Sequence, residues 1–242
     1  VDLGNGVTSI GDFAFSSCDS LKNIVIPDSV TNMGDGVFYN CTALTNVVIG
    51  NSVTSIGNEA FYNCTSLDKV VIPDSVKYID DYAFFCCSNL ENVVIGDGVI
   101  TIGQSAFSSC RDLNRVVIGN AVTTIGEMAF FDCALVDVVL GNSVTTIKDS
   151  AFSFCYSIQN VYIEDLANWC QITYEGTNSQ LQAYDRPINL YVNGELTGEQ
   201  RHSGGLKTDI DTSFGKLTLG GYAMTDDNLT KGSMINMFSL SQ

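Results

Sequence analysis

The feature that most constrains this chain is a cysteine that returns at a fixed interval. Cys18, Cys41, Cys64, Cys87, Cys110 and Cys133 are each 23 residues apart, and Cys155 follows after 22. An interval of this size held in register marks stacked supersecondary units, because one unit cannot bury its own apolar face and must pack on a neighbour. The shorter last step has a local cause: Cys133-Ala134-Leu135 lacks one residue present in Cys41-Thr42-Ala43-Leu44.

Every unit repeats one order: an Ala/Val-Phe pair, the cysteine, a leucine, a β-branched run, a turn pair, then a Val-Thr-x-Ile-Gly-like stretch. In Leu44-x-x-Val47-x-Ile49 the period-two spacing predicts a strand with Val47 and Ile49 on its core face. Turn chemistry ends that strand at Pro27-Asp28, Gly50-Asn51, Pro73-Asp74, Gly96-Asp97, Gly119-Asn120 and Gly141-Asn142. A second short extended segment follows. The Ala-Phe-x-x-Cys stretch is too short for a standard helix and predicts one helical or 3₁₀ turn. Its Phe15, Phe38, Phe61, Phe84, Phe107, Phe130 and Phe152 would fill the interior. The expected fold is a β-rich solenoid of about seven 23-residue coils with short helical or 3₁₀ turns, plus a small C-terminal β segment. Stacked about 4.8 Å apart, the coils give a rod about 30 Å long.

The regular repeat occupies residues 1–163. Residues 164–187 read as an irregular coil or insert, and residues 188–242 as a C-terminal segment with at least three strands, either a partial jelly roll or a cap on the solenoid. Val1-Asp2-Leu3-Gly4 aligns with Val47-Val48-Ile49-Gly50, so the chain is expected to start inside a longer protein.

With 45% hydrophobic and 16% charged residues the chain can bury a large core, and its net charge of −16 repels phosphate backbones and anionic lipid headgroups. Nucleic acid is thereby excluded as a partner. No apolar run approaches the roughly 20 residues that span a bilayer, and no basic stretch followed by an apolar block opens the chain. No membrane insertion is expected in this segment.

The pattern Ser55-Ile56-Gly57-x-x-Ala60-Phe61-x-x-Cys64-x-x-Leu67-x-x-Val70-x-Ile72-Pro73-Asp74-Ser75-Val76 closely resembles the BspA-like class of leucine-rich repeats. The resemblance covers residues 1–163 and extends weakly to 196, through Ile163–Cys170 and Asn189–Leu196. It implies a leucine-rich-repeat solenoid at the cell surface or secreted, and a role in adhesion to host proteins or other cells. The tail, with Leu217-Thr218-Leu219-Gly220-Gly221-Tyr222 and Lys231 through Leu240, resembles the closing strands of a laminin-G or concanavalin-like jelly roll. Asn236 and Met237 stand there in place of the acidic residues usual in the last strand.

Function must reside in the columns that face outward. On the main strand these are Val25, Val48, Val71, Val94, Val117, Val139 and Tyr162, preceded by Asn23, Asn46, Lys69, Asn92, Arg115, Asp137 and Asn160 on the same face. An apolar stripe flanked by amides and mixed charges can receive a protein ligand or a host receptor. The candidate binding residues are Asn23, Asn46, Val48, Lys69, Val71, Asn92, Val94, Arg115 and Val117. Cross-strand packing alone also accounts for the valines. A second column, Ser16, Tyr39, Tyr62, Phe85, Ser108, Phe131 and Ser153, either stacks on sugar rings or packs against the next coil. A glycan is therefore a possible partner.

Catalytic and metal sites are not expected, and neither is a cofactor. The sole histidine, His202, lies in a polar Gly-rich stretch that reads as a loop, so none serves as general base on the solenoid. Asp80-Asp81 and Asp226-Asp227 read as solvated turn carboxylates. Asp209-x-Asp211-x-Ser213 begins like a calcium loop, but Phe214 and Gly220 replace the glycine and glutamate that an EF-hand requires. Stacked cysteines have parallel Cα–Cβ vectors, which suits the disulfide torsion poorly. The column reads as buried free thiols, with Cys86 outside it. Exposed thiols are awkward in an oxidising compartment, so cysteine usage pulls against secretion. Asn40-Cys41-Thr42, Asn63-Cys64-Thr65 and Asn228-Leu229-Thr230 match the N-glycosylation pattern, which matters only in a eukaryotic source.

The sequence points to a non-catalytic extracellular protein-binding or adhesion scaffold. Its rivals are a carbohydrate-recognition appendage of a larger glycan-degrading surface enzyme, and a passive spacer.

Overall fold

The computed structural model describes residues 3–176, residue 181, residues 188–201 and the strand segments 205–206, 210–211, 216–219 and 222–224. The repeat winds into a solenoid whose main sheet has ten strands. Eight run parallel, one per coil: Asn23–Val25, Asn46–Val48, Lys69–Ile72, Asn92–Ile95, Arg115–Val117, Asp137–Val139, Asn160–Ile163 and Ile188–Val192. Glu195–Arg201 and Gly205–Leu206 then add antiparallel. Register is strict: Arg115 sits beside Asn92 on one side and Asp137 on the other.

A narrow second wall is built from two-residue strands. Ser55–Ile56, Tyr78–Ile79, Thr101–Ile102, Thr124–Ile125, Thr146–Ile147 and Thr173–Tyr174 form one parallel sheet, and Ser9–Ile10 pairs with Asn32–Met33. In each of these strands up to Thr146–Ile147 the second residue enters the core.

The third wall, the Phe-x-x-Cys stretch, is a stack of turns rather than a continuous helix. Alternate amides close i→i−3 turns, as from Ala60, Tyr62 and Cys64 to Gly57, Glu59 and Phe61. The intervening amides of Glu59, Phe61 and Asn63 donate to Asp81, Ala83 and Phe85 of the next coil, at 2.7–3.0 Å. A helix cannot form because two residues per coil, such as Glu59 and Asn63, take the left-handed conformation with φ near +55°. Turning every other amide outward requires those residues, and it makes this wall a third hydrogen-bonded ladder.

Between the walls lie continuous columns. Phe38, Phe61, Phe84, Phe107, Phe130 and Phe152 are fully or almost fully buried, and successive rings stack 4.9–5.3 Å apart within 18° of parallel. The cysteine column beside them is free and buried from Cys41 to Cys155, while Cys18 in the first coil is half-buried. Its thiols donate to phenylalanine carbonyls, for instance Cys87 Sγ to Phe61 O at 3.2 Å. Burial pushes Cys41 up to about 11, and Cys64, Cys87, Cys110 and Cys133 higher still.

After Ile163 the coil lengthens. A one-turn helix, Leu166–Trp169, is capped by Asp165 Oδ1 accepting from Ala167 N–H at 2.7 Å and buries Leu166 and Trp169. Thr173–Tyr174 then rejoins the narrow sheet, and Ile188–Val192 rejoins the main one in the register of Asn160–Ile163. Farther on, Ile210–Asp211, Lys216–Leu219 and Tyr222–Met224 form a separate antiparallel three-stranded sheet. His202, Asp209, Ser213, Asp226, Asp227, Asn228 and the tail from 225 lie outside the described residues.

Candidate binding face

The outward stripe of the main sheet falls into two halves. Val25, Val48, Val71 and Val94 are 55, 48, 63 and 43% exposed, high values for aliphatic side chains in regular strands. Val117, Val139, Tyr162 and Tyr191 continue the column half-buried, and the two tyrosine rings stack at 4.7 Å. Burial, with Asp137 nearby, holds the Tyr162 phenol above its ordinary value.

The flanking polar column is equally graded. Asn23, Lys69, Asn92 and Arg115 are exposed and Asn46 is half-buried. Farther along, the side chains clasp one another. Arg115 Nη1 reaches Asp137 Oδ2 at 3.0 Å, Asn160 Nδ2 donates to Asp137 Oδ1 at 2.8 Å, and Asn189 Nδ2 donates to Asn160 Oδ1 at 3.0 Å. All nine sequence-derived candidates, Asn23, Asn46, Val48, Lys69, Val71, Asn92, Val94, Arg115 and Val117, therefore share one face across five adjacent strands.

Sequence reasoning missed a shallow groove of about 640 Å³ along the turn edge of this face. Its floor is Val94, Val117, Val139 and Tyr162, and Asn193 and Gly194 close its far end. The groove runs where three consecutive coils carry glycine, at Gly96, Gly119 and Gly141. These glycines allow the coils to nest. A Cβ on Gly119 would stand 2.3 Å from Gly96 O, and one on Gly141 would stand 2.2 Å from Gly119 O.

The aromatic column on the turn wall is arranged differently. Tyr39, Tyr62 and Phe85 stack face to face at 4.9 and 5.0 Å, with Phe13 and Tyr82 set edge-on beside them. Tyr62 thus has a stacked ring on each face, and Tyr39 and Phe85 on one face each. Cys86 is half-buried, and burial raises its thiol while contact with Ser109 lowers it. Among the described residues no three His, Cys, Asp or Glu side chains are placed to hold a metal ion, and no helix is long and apolar enough to cross a membrane.

No curated protein matches this chain. Among solved structures, a leucine rich cell surface protein from Faecalibacterium prausnitzii is 31% identical with a TM-score of 0.58, the alignment covering 83% of this chain and 48% of that one. A leucine-rich repeat protein from Bacteroides ovatus is 29% identical with a TM-score of 0.64, over 73% of this chain and 47% of the other. The leucine rich repeat protein of T. pallidum is 33% identical with a TM-score of 0.59, over 63% and 72%. The chain thus spans about half the length of the first two. The model of the BspA type leucine rich repeat region, in six copies, matches residues 1–113 and 77–189. Those matches span the same coils whose cysteine, phenylalanine and glycine columns build the solenoid, and the chain belongs to the BspA type leucine-rich-repeat family.

Proposed function

We propose that the chain is a non-catalytic, extracellular protein-binding scaffold whose main-sheet face engages a protein on another cell or a host surface. The observation that carries this reading is the run of exposed Val25, Val48, Val71 and Val94. Four β-branched side chains at adjacent rungs form a continuous apolar strip that water covers poorly, rimmed by the polar groups that give an interface its direction. Stacking alone would be served as well by threonine, which lines the narrow sheet at Thr101, Thr124 and Thr146. The cell-surface description of the F. prausnitzii protein supports an extracellular setting.

On the main sheet a protein partner fits better than a glycan, because sugar recognition draws on open aromatic faces and the exposed column there is aliphatic. The test is the double variant Val71→Lys/Val94→Lys, coated on beads and applied to epithelial monolayers and immobilised matrix proteins. Both positions face solvent, so circular dichroism and melting should stay near wild type while adhesion drops at least tenfold. Undiminished adhesion by the folded variant rejects the sheet face.

A further inference from the structure

The groove beside the valine strip has a charge pattern that specifies its occupant more narrowly than the apolar floor does. Among the described residues its lining carries three carboxylates, Asp74, Asp97 and Glu164, and no Lys, Arg or His. Two of them are fixed by the fold. Asp74 Oδ1 accepts the backbone N–H of Asp97 at 2.8 Å, Asp97 Oδ1 accepts that of Asn120 at 2.7 Å, and both aspartates are exposed. Glu164 is steadied by Asn142, whose Nδ2 donates to its Oε2 at 2.6 Å. Carboxylates already held in place lose little entropy when they meet a cation, so they are better placed to add affinity than mobile surface acids.

Resting on the sheet-face reading, we infer that this groove takes an extended polypeptide segment of the partner that carries two cationic side chains flanking an apolar one. Asp97 and Glu164 are three coils apart, on the order of 14 Å at the spacing of parallel strands. An extended chain advances about 3.3 Å per residue, so lysines or arginines at i and i+4 reach both carboxylates. Even spacing puts them on the same side of the segment as residue i+2, which then sits on Val117 and Val139. The charge of the protein matches this occupant, since a chain of net charge −16 with no cation among the described residues of the groove repels an acidic one.

The test uses fluorophore-labelled, end-blocked Lys-Thr-Val-Thr-Lys and its counterpart Glu-Thr-Val-Thr-Glu, titrated with the whole chain by fluorescence anisotropy. The lysine peptide should bind, weaken severalfold between 50 and 500 mM salt, and outcompete the glutamate peptide by tenfold or more. In Asp97→Asn/Glu164→Gln its affinity should fall about tenfold, the combined effect of two exposed charge pairs. That variant keeps its fold, because asparagine fills the same turn position at Asn120, where Oδ1 accepts from Asn142 N–H at 3.2 Å. Equal binding of the two peptides, unchanged affinity in the variant, or no binding of the lysine peptide each overturns the inference. Concentration-dependent dimerisation that blocks the peptide assigns the groove to a second copy and overturns it too. Should adhesion fall in Val71→Lys/Val94→Lys while the peptides bind alike, the sheet face stands and only the cationic occupant is rejected.

Discussion

Replacing Phe107 by alanine removes one ring from the middle of the phenylalanine column, and the structure sets the size of the loss. The side chain is fully buried, with Phe84 at 5.0 Å and Phe130 at 5.3 Å, both within 2° of parallel. Buried Phe→Ala exchanges cost about 3–5 kcal/mol through lost transfer energy and the cavity left behind. Two ring contacts, each about 0.5–1.5 kcal/mol beyond burial, place this site at the upper end of that range. Phe15 makes the informative comparison. It is half-buried in the first coil, with Phe38 stacked on it at 5.5 Å, and its replacement should cost about 2 kcal/mol. Coils in a solenoid couple only to their neighbours, so the internal lesion also separates the stacks on either side. Urea unfolding followed by circular dichroism measures the two losses. Amide exchange locates them: Phe84, Phe107 and Phe130 donate to Ala106, Ala129 and Ala151 at 2.7–2.8 Å, and these amides should lose protection well ahead of those near Phe38. Equal costs at Phe15 and Phe107, or a uniform fall in protection along the rod, would refute nearest-neighbour coupling through the ring column.

Alkaline pH should unfold the protein by way of its cysteines. An unfolded thiol ionises near its ordinary 9.0, whereas burial lifts Cys41 to about 11 and Cys87 and Cys110 beyond it. Above pH 9 the unfolded chain therefore holds fewer protons than the folded one. Stability intact below that pH falls as pH rises toward the folded values, by up to about 1.4 kcal/mol per pH unit for each fully buried thiol. Cys87→Ala/Cys110→Ala, although weaker at pH 7, should show a shallower decline between pH 9 and 11 in urea titrations; an identical slope would remove thiols as the cause. In the folded protein at pH 8, iodoacetamide should modify Cys18 and Cys86 and leave Cys64 through Cys155 of the ladder unmodified until urea is added, as mass spectrometry of the digest would reveal. Asn160→Ala breaks the clasp between Asp137 and Asn189 and should cost about 1 kcal/mol, with amide exchange rising around Ile188–Val192; a change below 0.3 kcal/mol would mean that the clasp only decorates the sheet.

The core columns were legible in the sequence because burial acts on every coil alike. Phe61, Cys64, Leu67, Val70 and Ile72 recur at fixed offsets, and each lies in the interior as the pattern implies. The turn wall was harder to read, since its left-handed positions hold Phe13, Glu59, Tyr82 and Met128, residues that do not favour that conformation. Hydrogen bonds to the next coil override local preference there, and such bonds leave no mark on composition. The coil ending in Ile188–Val192 did leave a trace: Asn189-Leu190-Tyr191-Val192 echoes Asn160-Val161-Tyr162-Ile163 at an offset of 29 rather than 22 or 23. On the candidate face, the outward valines followed from alternation, but their gradient from exposed to half-buried did not. Nor did the groove, which runs past Gly96, Gly119 and Gly141 of three neighbouring coils.

The three hydrogen-bonded walls also define how the rod yields when stretched along its axis. A stacked coil occupies about 4.8 Å of length, yet its 23 residues extend to roughly 75 Å once peeled away. Because each coil grips its neighbour through similar sets of bonds, tension on the ends would be released in nearly equal steps of about 70 Å, a sawtooth that absorbs work at every tooth. Rupture then begins at whichever end coil has lost its neighbour, and the outward face between remains assembled until its own turn comes.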